Sequence, residues 1–217
     1  MQIKRDWLWL IFAFILSSSI FFGYYLATKA TKMEIVYKNW DGPSYVLAAM
    51  SMYNPTLAYT NNFIHSGDIT PDWSWLPAHF PLYTLAIKAL SPLGYFQAML
   101  LVSISFTLLS YLALYELLVT LRVTKHPLAL TLPFIFLSPR WFIVSHTGSS
   151  ESMFLFFILV FLIYLFKKDH WKAAIFIALA QFTRPQAAFF GMGLALIAII
   201  ELFQSRDLKR IIATYYP

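Results

Sequence analysis

The 217-residue chain is 59% hydrophobic, 19% aromatic and 12% charged, where soluble domains carry about 25% charged residues; this composition belongs in a bilayer. A net charge of +6 on a nucleic-acid-binding protein would form a basic face with few apolar runs, whereas here Lys and Arg fall in short clusters between apolar stretches, as positive-inside anchors do. No nucleic-acid partner is expected. The absence of cysteine excludes a disulfide framework and a thiolate metal site and leaves the redox compartment open.

The first apolar run, Trp7 to Ala27, follows Lys4 and Arg5 and is long enough to cross a hydrocarbon core of roughly 30 Å with its N-terminus inside. A signal peptide would have a shorter apolar core and a small-x-small cleavage site, which does not follow Tyr24-Tyr25-Leu26. Residues 28–80 form the expected outer loop, punctuated by Asp41-Gly42-Pro43, Asn54-Pro55, Ser66-Gly67-Asp68 and Thr70-Pro71-Asp72. Within it, Val46, Ala49, Met50 and Tyr53 have the spacing of a short helix over Pro43 to Tyr53 lying on the membrane surface. A second such helix is expected at Pro81 to Leu90.

Tyr95 to Leu121 is a full crossing that returns to Arg122 and Lys125. Leu128 to Ser145 then runs outward, and Met153 to Phe166 comes back to Lys167, Lys168 and Lys172. The last apolar stretch begins and ends on cations, Lys172 and then Arg206, Lys209 and Arg210, so it must cross an even number of times. Its one break, Thr183-Arg184-Pro185-Gln186, predicts a hairpin turning below the outer surface; a single tilted helix is the alternative, against which Pro185 and Arg184 both argue. The expectation is an all-α, polytopic bundle of about six spans and two outer-face helices, one module over residues 1–217. The chain stops just as another apolar stretch begins at Tyr215, so C-terminal truncation is expected.

On this topology five segments meet on the outer face: Asn39 to Pro43, His79 to Tyr83, Arg140, His146 to Glu151, and Thr183 to Gln186. Asp6, Asp169 and Asp207 lie beside inner cations and read as their solvated partners; Glu116 is expected to reach the inner interface and Lys88 to snorkel from its helix. Asp41 is placed to cap the helix that follows and to act as general base toward an incoming hydroxyl, and the first does not exclude the second. Glu151, opening a span, either gains from the helix dipole or binds a sugar hydroxyl, a cation or an acceptor. Arg184 in an apolar segment costs roughly 2.5–3.5 kcal/mol, to be offset by an anionic ligand, by Glu151 or Asp41, or by snorkelling. Arg140 faces the same choice, with snorkelling weighing more; either guanidinium can hold a phosphate bidentately. His79 and His146 read as polar interfacial side chains rather than metal ligands, and Trp73 and Trp75 as a candidate sugar platform.

Four short motifs in this order resemble the GT-C superfamily of polyprenyl-phosphate-sugar-dependent glycosyltransferases, and within it the PIG-V-type mannosyltransferases. They are Trp40-Asp41 before a surface helix, His79-Phe80-Pro81-Leu82-Tyr83, Ser150-Glu151-Ser152 and Thr183-Arg184-Pro185. The resemblance implies an N-terminal GT-C module with two juxtamembrane helices, in a prokaryotic cell membrane, or the ER membrane in a eukaryote. It implies inverting transfer of a mannose-like hexose from a polyprenyl- or dolichyl-phosphate sugar to a hydroxyl of a glycan, lipid or protein at the outer or luminal face. Asp41 would be the base. Arg184, with Arg140, would stabilise the departing phosphate, and Glu151 would orient sugar or acceptor; Trp40, His79, Tyr83, His146 and Gln186 complete the implied substrate-binding set. No cofactor is obligatory, and a divalent metal is compatible but not indicated. A transporter or flippase-like module for lipid-linked intermediates, and a noncatalytic scaffold, are the rival readings.

Overall fold

The computed structural model describes residues 2–28, 32–39, 41–54, 56–57, 77–136 and 138–205, and among them there is helix but no strand. Trp40, Trp73, Trp75 and Asp207 lie outside the described residues. The helices are α1 (Gln2–Thr28), α2 (Lys32–Tyr37), α3 (Gly42–Ser51), α4 (Pro81–Ala89), α5 (Tyr95–Leu121), α6 (Pro127–Phe136), α7 (Pro139–Val144), α8 (Glu151–Phe166), α9 (His170–Thr183) and α10 (Ala187–Ser205). Two stretches, Lys4–Ala27 in α1 and Tyr95–Leu121 in α5, are long and apolar enough to cross a membrane.

Proline sets the breaks. The residue before a proline is pushed out of the helical region by its ring, and both interruptions obey this. Arg184 before Pro185 is extended, with φ −153° and ψ 142°, so 170–205 is two helices and not one tilted rod. Ser138 before Pro139 is extended too, with φ −99° and ψ 99°. The stretch Leu128 to Ser145, expected to run outward, is thus divided into α6, with Pro133 inside it, and the short α7.

Helix directions follow from the pairs that meet. Asp6 and Phe14 of α1 meet Tyr115 and Tyr111 of α5, so these two run antiparallel. α5 and α8 run parallel: Ser103 bonds the backbone of Ser149, Thr107 lies 2.6 Å from the Ser152 hydroxyl, and farther along Glu116 pairs with Lys167 at 3.1 Å. α9 returns along α8, with Phe176 stacked on Tyr164 at one end and Arg184 on Glu151 at the other. The contacts of Asp6, Glu116, Lys167 and Asp169 with Lys172 thus mark one end of the bundle.

The seam between α5 and α8 is built of hydroxyls. Ser103, Thr107 and Ser110 lie on one stripe of α5, at i, i+4 and i+7, and are buried. Thr107 Oγ1 is 2.8 Å from Ser103 O and 3.1 Å from Ser145 O, and Ser110 donates to Ser152 O at 3.0 Å. This register sets α8 low. Thr107, level with the start of α8, lies twelve residues into α5, about 18 Å along a helix. α5 therefore overhangs α8, and the notch is filled by α3 and α4.

That filling shows both helices packed on protein along one face. Tyr45, Val46, Leu47, Ala48 and Ala49 of α3 and Tyr83, Thr84 and Ile87 of α4 are buried, in a core shared with Ala98, Met99 and Val102 of α5. Their apolar faces meet protein. Gly42 sits close to its neighbours: a Cβ there would lie 3.1 Å from Met99 Sδ, 3.2 Å from Gly148 O and 3.3 Å from Tyr37 O. After α3 the chain turns through Met52 and Tyr53, both left-handed at φ 48° and 63°. The Tyr53 hydroxyl, 2.6 Å from His79 O and 2.9 Å from Thr84 Oγ1, ties that strained turn to α4.

At the opposite end, Asp169 accepts from Lys172 at 2.7 Å as an exposed pair, in line with the sequence reading. Lys88 reaches the Tyr95 hydroxyl at 2.9 Å. Asp6 differs from expectation: it is 6% exposed and accepts the Tyr115 hydroxyl at 2.7 Å, a helix-to-helix bond in place of a solvated ion pair.

Thr107→Val keeps the volume and removes the central hydroxyl of the seam. It should cost about 1–2 kcal/mol in reversible unfolding in mixed detergent, while Leu109→Ala on the exposed face of the same helix costs less.

Candidate functional site

At the floor of the notch three chain segments bring ionisable side chains together. α3 contributes Asp41 just before its first turn and Tyr45 one turn later. The Ser149-Ser150-Glu151 junction opens α8, and Arg184 and Gln186 occupy the proline break between α9 and α10.

Asp41 holds the N-cap position of α3 without capping it. Its backbone is already helical, with φ −79° and ψ −3°, and its side chain makes no cap hydrogen bond. Its carbonyl accepts the Tyr45 N–H at 3.0 Å. The capping reading is thereby set aside, and the carboxylate is exposed.

Glu151 and Arg184 form an ion pair of 2.6 Å, their side chains 32% and 24% exposed. The guanidinium also points Nη1 at Ser150 Oγ, 3.4 Å away, and Nε at Gln186 Oε1, 3.3 Å away. Of the two carboxylates weighed from the sequence, Glu151 is the one that pairs with Arg184. Tyr45 donates to Ser150 Oγ at 2.8 Å, so Ser150 joins α3 to the ion pair. Burial drives the Tyr45 phenol up to about 12; the Ser150 bond and Arg184 oppose this, while Glu151 and Asp41 add to it. The hydroxyl thus feels all three charged groups.

Tyr83 and His79 form the wall behind Tyr45, whose ring meets theirs edge-on at 4.8 and 4.6 Å. Tyr83 is fully buried, and its hydroxyl bonds Met99 O at 3.1 Å and Ser103 Oγ at 2.6 Å. It is a strut between this wall and the hydroxyl seam.

Two expected members are elsewhere. His146 is fully buried in a box of Phe14, Phe21, Phe22 and Phe142, with ring centroids 4.9–6.0 Å away. Its Nδ1 faces Phe142 O at 2.8 Å and so carries the proton, which leaves Nε2 to accept from Ser18 at 3.0 Å. It joins α1 to the α7–α8 junction. Arg140 is exposed on α7 beside the middle of α5, where the neighbouring Trp141 donates to the Tyr111 hydroxyl at 2.9 Å.

Sequence reasoning missed Tyr45 and Ser150 as members of the site. Tyr45 carried a usable signal: four residues after Asp41 on a helix, it shares that residue's face. Ser150 stood in the Ser150-Glu151-Ser152 motif and in the His146 to Glu151 segment, but its role as the link between Tyr45 and Arg184 depends on contacts with two other helices.

Because the Glu151–Arg184 pair is partly exposed, a double-mutant cycle with Glu151→Gln and Arg184→Gln should give a coupling of about 1 kcal/mol. For Tyr45 the neutral form is the one favoured on folding, so its stabilisation is intact below pH 10 and declines as pH rises from 10 toward 12. Tyr45→Phe should flatten the alkaline loss of stability over that range. No family model, curated protein or solved structure matches the chain.

Proposed function

We propose that this chain is a multi-pass membrane module of a GT-C-type glycosyltransferase, moving a hexose from a polyprenyl-phosphate sugar to an acceptor hydroxyl. In this reading the N-terminus is cytoplasmic, and the helices make about six crossings, with α3 and α4 lying over the outer ends of the short α8 and α9. Large apolar side chains left exposed along α1 and α10, among them Leu8, Phe12, Ile15, Phe189, Met192 and Phe203, suit contact with lipid.

The observation that carries the chemistry is the exposed Asp41 carboxylate, which makes no cap hydrogen bond and lies one helical turn before Tyr45, whose hydroxyl reaches Ser150 next to the Glu151–Arg184 pair. An acceptor hydroxyl entering over Asp41 gives up its proton to that carboxylate as its oxygen attacks the anomeric carbon. The bond from that carbon to the phosphate oxygen breaks, and its electron pair leaves with the lipid phosphate. A guanidinium beside the departing oxygen stabilises the growing charge. Arg184 is the candidate for that role, with Glu151 left to accept from the sugar or the acceptor.

The test is transfer from a radiolabelled polyprenyl-phosphate hexose by membranes holding the protein. Asp41→Asn should lower the rate about 10²–10⁴-fold, the range of general-base catalysis, with the protein still inserted. Full transfer by that variant sinks the base assignment, and lipid movement without donor consumption favours the transporter reading.

A further inference from the structure

We propose that the Glu151–Arg184 pair discriminates between a lipid phosphate that carries a sugar and one that has lost it. This rests on the glycosyl-phosphate donor proposed above and adds how the same site tells donor from product.

The starting point is the charge of the group. Asp41 and Glu151 supply two negative charges and Arg184 one positive, so an arriving anion meets a cluster that is already net negative. The guanidinium is also engaged: Nη1 is 2.6 Å from the Glu151 carboxylate and Nε is 3.3 Å from Gln186. A phosphate that takes Arg184 bidentately must displace Glu151. The displaced carboxylate, about two-thirds buried, then needs a new donor, because an ionised group left unpaired in a partly desolvated site is costly. Tyr45 cannot serve, since its proton is committed to Ser150 at 2.8 Å.

A glycosyl phosphate brings the missing donors with it. Its sugar hydroxyls lie within a few bonds of the phosphate, so one ligand can give an anion to Arg184 and an O–H to Glu151. A bare lipid phosphate gives only the anion, and as a monoester it carries more negative charge than the glycosyl diester. Once the sugar has left, the charged partner on hand for Glu151 is again Arg184. Re-formation of the ion pair then drives the spent lipid phosphate out.

The experiment is equilibrium binding of two short-chain probes, farnesyl phosphate and mannosyl farnesyl phosphate, to the full chain in lipid nanodiscs. The unsubstituted protein should bind the mannosyl ester about tenfold more tightly, the worth of one charge-assisted hydrogen bond. Glu151→Gln should tighten farnesyl phosphate and bring the ratio toward one, whereas Arg184→Gln should weaken both probes. Equal binding of the two probes by the unsubstituted protein, or weaker farnesyl phosphate binding by Glu151→Gln, overturns the discrimination and leaves the donor reading standing. Binding of neither probe overturns the donor reading and the discrimination with it. The ratio in the unsubstituted protein needs no substitution, so a variant that fails to fold does not blunt the test.

Discussion

The hydroxyl seam between α5 and α8 is the constraint on which the rest of the structure depends. Apolar side chains hold two helices together but allow them to slide, because one leucine against another costs little to exchange. Directional bonds from Ser103, Thr107 and Ser110 fix the register to within a residue. With α5 much longer than α8, that register creates the overhang, and the overhang gives α3 and α4 somewhere to pack. Tyr83 couples the two levels, since its hydroxyl meets the seam at Ser103 while its ring supports Tyr45.

The site inherits its position from this arrangement. Its charged residues come from places where helices stop: Asp41 ahead of α3, Glu151 at the first turn of α8, and Arg184 where Pro185 forces the backbone to extend. Helix ends leave backbone groups unpaired and tolerate polar side chains. In the proposed membrane reading, short helices would bring such ends inward, to depths where charge is otherwise costly. Pairing offsets part of that cost for Arg184, whose partner arrives from another helix. The partial exposure of both members keeps the pair exchangeable, which a ligand-binding role requires and a purely structural ion pair does not.

His146 shows the limit of grouping polar residues by segment. It is four residues from Ser150 and was expected with it, yet the chain turns between them. The imidazole faces α1 and four phenylalanine rings, while Ser150 faces α3. Asp6 makes the same point at the other end: its neighbours Lys4 and Arg5 suggested a solvated pair, but the helix rotates it onto Tyr115.

From the sequence alone, apolar run lengths and cation clusters gave the limits of α5 to the residue, the end of α1 to within one, and the break at Arg184-Pro185. These are local properties: hydrophobic length and the steric effect of proline act within a few residues of chain. The joining of Asp41, Glu151 and Arg184 was legible only as a shared face. Which carboxylate meets Arg184, that Tyr45 and Ser150 link them, and that α3 and α4 are buried were decided by tertiary structure. Their physical cause is the register between α5 and α8, a sum of long-range hydrogen bonds among serines and threonines whose spacing along either helix, taken singly, says nothing about its partner.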